Sequence, residues 1–551
     1  MFGLYLVIAF GFLAPRVLAH PERDMIGGLF TDPQIFIWAF AWWPHAIFHG
    51  LNPVVAHAIW EPEGFNLAWA TSVPALAVVF SPLTYLFGPV LSYNVASILM
   101  PALSAWTAFL LCRRVTRGAL WPSLAGGYLF GFSTYILSAE LTHIFSAAVF
   151  LVPVAALLVV RFIEDDLTAR GLALRLGLVL AGQMLLSTEI LFTLSLALVI
   201  GWVLALLLVP AARPRLLRLV VPAGAAYLLA AVITAPFGYY VFQGGRPPSG
   251  AVAFAADALN LVVPTMASLG GWWSRHLELR WPANDAERGT YLGVPLLVIV
   301  VLFAVGRLRT GTGRFLIAAF AVAVVCALGI ELHVNGREVI QLPWAHVAER
   351  PLFRNVMPVR LMLYASLAAA VMTALWAASV RARWLRIGLP ALAALALVPN
   401  LSWGAWARTP EVPQLFTTSL YKSCLGRNEN VLALPFGTRG DTMLWQVRSG
   451  FRFRLAGGYV SPYPPTPYTL TQGMFRVATE EIPPDVTTAD VLQLVRLKHV
   501  TTIVLEASQQ SLWGPVLRPF ARPQRAGGTL IYRLRGAPPL RRRCAAAAAA
   551  R

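Results

Sequence analysis

Charge is what this 551-residue chain has least of: Asp, Glu, Lys and Arg supply 13% of it, against 58% hydrophobic residues. Soluble globular chains average about 25% charged residues. So little charge cannot cover the water-facing surface of a chain this long. A soluble enzyme, a disordered protein and a collagen-like fibre are excluded. Lysine is nearly missing, confined to Lys422 and Lys498, so the net charge of +19 rests on arginine. These arginines recur as short clusters between apolar runs rather than as one basic patch, which argues against nucleic acid as a partner. The four cysteines (Cys112, Cys326, Cys424 and Cys544) show no metal-ligand or CxxC spacing, and no chemistry is assigned to them. The first apolar run lacks a basic n-region, which favours a membrane span over a cleaved signal peptide. No internal repeat of the transporter kind is visible.

What the chain does have is long apolar runs. A bilayer span needs about 20 mostly apolar residues. Such runs lie near 2–19, 91–112, 118–137, 143–161, 171–188, 190–210, 219–241, 291–306, 315–331, 359–380 and 387–405. The expectation is an α-helical multi-pass membrane protein with about eleven spans. Alternate loops carry three arginines each, beginning with Arg113, Arg114 and Arg117 and ending with Arg381, Arg383 and Arg386. By the positive-inside rule these loops and the N-terminus face the cytoplasm, across a bacterial plasma membrane. The segments 20–90, 243–290, 331–357 and 406–551 then lie outside and make up more than half the chain. Any site is expected on that outer face.

Within this plan, residues 1–405 form the transmembrane domain. The stretch 33–48, rich in tryptophan, reads as an interfacial helix, and 74–88, short and holding Pro82 and Gly88, reads as an interfacial or re-entrant one. Residues 406–540 read as a small extracytoplasmic α/β domain, with strands at 430–435, 499–505 and 528–534 and a helix near 488–497. The low-complexity end, 541–551, reads as disordered.

Ionisable groups near a membrane are costly and usually functional. Asp32, in TDPQIFIW, directly follows the first span, although capping of the next helix by Thr31 or Asp32 before Pro33 is a serious rival reading. Glu61 and Glu63, in IWEPEGFNLAW, lie later in the same loop. Glu140 and His143 share the next outer turn and could be a local structural pair. Glu189 marks a further outer turn, where simple solvation or capping is the better reading. Arg350, Arg354 and Arg360 sit outside, against the charge trend, and arginine forks suit phosphate oxygens as well as lipid headgroups. Trp272 could stack on a sugar ring, but interfacial anchoring is the stronger reading for it. Asp32, Glu140 and His143 are suitable metal-ligand types, yet no spacing specifies an ion; a divalent metal is compatible, and no cofactor is indicated.

The early aspartate with its aromatic helix, the EPEGFN segment, the PVR segment ending at Arg360 and the overall layout resemble the GT-C superfamily of membrane glycosyltransferases. The first-loop acid is a lone TDP, without a WWD-type signature. The resemblance implies a sugar donor carried on polyprenyl phosphate, an extracytoplasmic glycan, lipid or protein acceptor, and transfer with inversion. On that basis Asp32 would be the general base, with Glu140 and His143 assisting it or positioning the acceptor. Arg354 and Arg360 would hold the donor phosphate, and Glu61, Glu63 and Trp272 would contact substrate. Two other classes stay open: a transporter or flippase for a lipid-linked glycan, and a non-catalytic scaffold of envelope biosynthesis.

Overall fold

The computed structural model describes residues 1–243, 253–437, 440–461, 483, 485–538 and 544. Helix dominates it, as the apolar runs require. Six helices are long and apolar enough to cross a membrane: Pro89–Val115, Ile144–Ile163, Ala169–Leu186, Thr188–Leu208, Val220–Phe242 and Pro358–Ser379. Three apolar runs give shorter helices, Phe2–Leu13, Val294–Arg307 and Gly311–Ala327. The last run forms Arg383–Ala396. The run at 118–137 is broken in two, Leu120–Gly131 and Thr134–Glu140, because Ser133 is extended and its hydroxyl caps the second helix at the Ile136 N–H. These helices share one apolar core.

A second core lies under a five-stranded mixed sheet built after residue 406. Asn430–Leu434 is an inner strand, parallel to both the edge strand Arg454–Leu455 and the central strand Thr502–Glu506. Thr529–Arg533 then pairs antiparallel with Thr502–Glu506 and carries Gln524–Ala526 at the edge. All five residues of Asn430–Leu434 are buried, as a strand covered on both faces requires. The helix Thr488–Leu497 falls where its sequence places it, closed by a Thr487–Asp490 capping box.

The helix Pro33–Phe48 corrects the expectation of an interfacial helix. Twelve of its sixteen residues are buried. Phe36, Ile37 and Phe40 face the helical core, whereas Ile35, Trp38, Trp42 and Trp43 face the core of the sheet. Having two apolar faces, it is packed between two layers of protein, so its tryptophans meet protein rather than headgroups. Trp38 Nε1 donates to Gln446 Oε1 at 2.8 Å, and Trp42 Nε1 donates to the Pro53 carbonyl at 3.0 Å, so these two tryptophan N–H groups find protein partners. A second correction concerns the end of the chain. Cys544 is buried and disulfide-bonded to Cys424, so this residue of the expected disordered tail is tied to the sheet region. The rest of 541–551 lies outside the described residues.

Candidate active site at the Asp32–His143 junction

Two glycines bring the first loop into place. Met25–Ile26 pairs antiparallel with Ala407–Arg408, and the Gly27 and Gly28 N–H groups continue the pairing to the Trp406 and Ala405 carbonyls. Gly27 has φ +82°, and a Cβ there would lie 2.7 Å from the Leu141 carbonyl oxygen and 2.9 Å from that of Glu140. Only glycine allows this approach. The loop is thereby pressed against the turn that carries His143, five residues before Asp32.

At that turn the His143 N–H bonds to the Ala139 carbonyl, ending the Thr134–Glu140 helix. The imidazole lies between two carboxylates. Its Nε2 is 3.2 Å from Asp32 Oδ2, and its Nδ1 is 3.2 Å from Glu287 Oε1 and 2.8 Å from the Thr142 hydroxyl. Asp32 Oδ1 accepts a hydrogen bond of 2.5 Å from the Tyr459 hydroxyl. Glu287 is gripped side-on by Arg360, whose Nη2 and Nε lie 2.5 and 3.1 Å from its two oxygens. The remaining Nη1 of Arg360 pairs with Glu189, and its guanidinium lies over the Phe145 ring, 5.1 Å from the centroid. Asp32, His143, Glu287, Arg360 and Glu189 thus form one row of alternating charge, drawn from five separate stretches of the chain.

Charge on this row follows from its order. Burial pushes the Asp32 carboxyl up, but the hydrogen bond and charge of His143 and the Tyr459 hydroxyl outweigh it and hold Asp32 below the usual range. Burial likewise pushes His143 down, yet its two carboxylate neighbours carry it up to about 9. Glu287 is buried but held well below the usual range by Arg360 and His143. At neutral pH the row is therefore a carboxylate, an imidazolium and a second carboxylate, backed by a guanidinium.

The other candidates fall elsewhere. Asp32 occupies the N-cap position of Pro33–Phe48, but it has helical backbone angles and makes no side-chain cap bond, so the capping reading fails. Glu140 is 1% exposed and bonds to no member of the row, neither carboxyl oxygen being hydrogen-bonded among the described residues. Burial pushes it well above the ordinary carboxylate value, against a weaker pull from the Ser97 hydroxyl. Glu61 pairs with Arg454 and Glu63 with Lys498, which ties the loop to the sheet region. The backbone does the same, since Trp60 and Glu61 donate to the Gly457 and Leu455 carbonyls and Leu455 donates to Ala58.

Arg360 is 4% exposed, and each of its three guanidinium nitrogens already pairs with Glu287 or Glu189. It therefore has no fork to offer a phosphate, which corrects that expectation. Glu189 is in turn an ion-pair partner rather than a solvated turn residue. Arg354 is half-buried and has no carboxylate partner among the described residues. Trp272 is 72% exposed and lies in the short turn Gly271–Ser274, away from the row. Glu287 and Tyr459 escaped sequence reading altogether. Glu287 sits in NDAERG among other charges, and Tyr459 in a segment with no recognisable chemistry.

Asp32 and Glu287 meet opposite nitrogens of the His143 ring, so their oxygens and the ring do not converge on one point where a divalent ion would sit. Among the described residues the one group of His and carboxylate ligands close enough to share an ion is Glu331, His333 and Glu338, on the hairpin Glu331–Val334/Arg337–Gln341.

The chain belongs to the family described as Domain of unknown function (DUF6311), whose model matches residues 2–399. No curated protein sequence matches it. Among solved structures it is similar to arabinofuranosyltransferase AftD from Mycobacteria, with a TM-score of 0.56 and 14% identity over 97% of this chain and 39% of that one. It is also similar to the oligosaccharyltransferase of Archaeoglobus fulgidus, in the apo form (TM-score 0.53, 13% identity, 92% of this chain and 69% of that one). The form of that enzyme with Zn and sulfate gives a TM-score of 0.54 at 12% identity, over 96% of this chain and 72% of that one. The chain thus shares its fold with these two proteins, and it spans about two-fifths of the length of AftD.

Proposed function

We propose that this protein is an inverting membrane glycosyltransferase that moves a sugar from a polyprenyl-phosphate donor to an acceptor hydroxyl at the extracytoplasmic face. The observation that carries the reading is Asp32: an ionised carboxylate fixed by an imidazolium and a tyrosine hydroxyl, where the helical core meets the sheet. Both structural neighbours are named as glycosyltransferases, which supports the same chemistry here. Asp32 accepts the acceptor's proton as the acceptor oxygen bonds to the anomeric carbon and the bond to the donor phosphate breaks. A carboxylate below its usual range serves this reaction, because the attacking hydroxyl becomes strongly acidic once the new C–O bond begins to form. His143 stays charged and holds Asp32 in position. Arg354 is the arginine left to meet the donor phosphate.

The proposed topology has eleven spans with residues 406–540 outside a bacterial plasma membrane. The Cys424–Cys544 disulfide supports that side, since disulfides persist in oxidising compartments. The test is purified protein in vesicles loaded with labelled polyprenyl-phosphate sugar and membrane-extract acceptors. The label should leave the lipid only when protein is present. Label that crosses the bilayer while still lipid-linked would make the protein a flippase, and label that does neither would make it a scaffold.

A further inference from the structure

We propose that Glu287 is the positioning residue of this site: it orients the His143 ring from behind, so that the charged Nε2–H faces Asp32, and is itself locked by Arg360 and Glu189. The inference rests on the reading of Asp32 as the base, but its first measurement does not need that reading. A doubly protonated imidazole has two N–H groups on opposite sides of the ring. One reaches Asp32 and the other reaches Glu287 and the Thr142 hydroxyl. A neutral ring has one N–H, so with Nε2–H on Asp32 its bare Nδ1 would accept from the Thr142 hydroxyl, which carries no charge that would favour the imidazolium. The Glu287 carboxylate can only accept, and its charge favours the second N–H.

Glu287 is in turn held on all sides. Asn284 Oδ1 accepts from the N–H groups of Ala286 and Glu287, closing the turn. The Thr134 hydroxyl bonds to the Gly289 and Tyr291 carbonyls, and a Cβ at Gly289 would lie 2.9 Å from Tyr135 Cα. The loop is therefore docked on the same short helix that ends at His143, and Arg360 grips both oxygens of Glu287. Glu189 answers the third donor of Arg360 and also accepts from the Met357 N–H at 3.4 Å. The charged and titratable groups around His143 are Asp32 and Tyr459 from the loop and sheet side, and Glu287, Arg360 and Glu189 behind the ring. Glu140, Tyr93 and Tyr135 complete the set on the flanking helices. Of these, Asp32 and Glu287 are the carboxylates that touch the ring.

Removing the charge of Glu287 should let the ring give up its proton at lower pH and free it to turn. In Glu287→Gln the His143 titration midpoint should fall by at least about one pH unit, since an adjacent opposite charge typically moves a pKa by roughly 1–3 units. The midpoint is read from ring-labelled histidine resonances of the full-length protein in detergent, with His143 assigned by its loss in His143→Gln. In vesicles, the alkaline limb of the pH–activity profile should shift down with it, and in the His143→Gln background Glu287→Gln should shift nothing further. Glu287→Asp should restore part of the midpoint, and it replaces the glutamine variant if that one fails to fold. A midpoint unchanged in the folded variant would overturn the proposal. A shifted midpoint in a protein that transfers no sugar would leave Glu287 as proposed and refute the glycosyltransfer reading instead.

Discussion

The stretch 32–63 of the first loop carries acids at both ends, and the structure treats the two ends differently. At the near end Asp32 meets a histidine, a group that can gain or lose its proton near physiological pH, and a tyrosine from the sheet region. At the far end Glu61 and Glu63 form ion pairs with Arg454 and Lys498. Backbone pairing of 58–61 with 455–457 accompanies the second set. The near end is thus arranged around a proton and the far end around attachment. Two acids of similar type in one loop part company by the company they keep.

That contrast can be broken at several points. The largest effect on stability is expected at the buried end of the charge row. Arg360→Ala would leave Glu287 and Glu189 facing each other without their cation, and breaking a buried pair costs about 3–5 kcal/mol. Folded protein in detergent should fall sharply by size-exclusion profile; wild-type yield and melting would show that the row is not structurally coupled. Next in size is Arg354→Ala, expected to weaken labelled-donor binding about tenfold, in keeping with loss of one charge-assisted contact of roughly 1.5 kcal/mol, without changing the melting temperature. Unaltered donor affinity would reduce Arg354 to a headgroup anchor. The smallest effect belongs to the attachment end. Glu61→Gln should cost about 1 kcal/mol or less in stability, because its arginine partner is more than a third exposed, and should change turnover less than about twofold. A large loss of turnover there would erase the distinction between the two ends.

Much of the fold was legible because it is written locally. Apolar runs, the capping box before Thr488–Leu497 and the strands around 430, 502 and 529 need only neighbouring residues to declare themselves. Pro33–Phe48 misled for a physical reason: tryptophans suit a membrane interface and an interlayer contact equally well, and the partner face at Gln446 lies 408 residues away. The site was half legible. Asp32 and His143 stood out as polar groups in apolar surroundings, but their meeting depends on Gly27 touching Leu141, a tertiary contact. Arg360 was noticed for its charge and assigned to phosphate, because nothing in the sequence reveals that Glu287 and Glu189 occupy its donors.

The most direct measurement compares Asp32→Asn with Glu63→Gln in vesicles that carry equal amounts of folded protein and labelled polyprenyl-phosphate sugar. Both changes remove one carboxylate charge from the same loop and keep its shape. The account predicts that Asp32→Asn loses at least about 100-fold in the rate of sugar transfer, the lower end for a general base, while Glu63→Gln stays within about twofold of wild type. Equal rates in the two variants would contradict it.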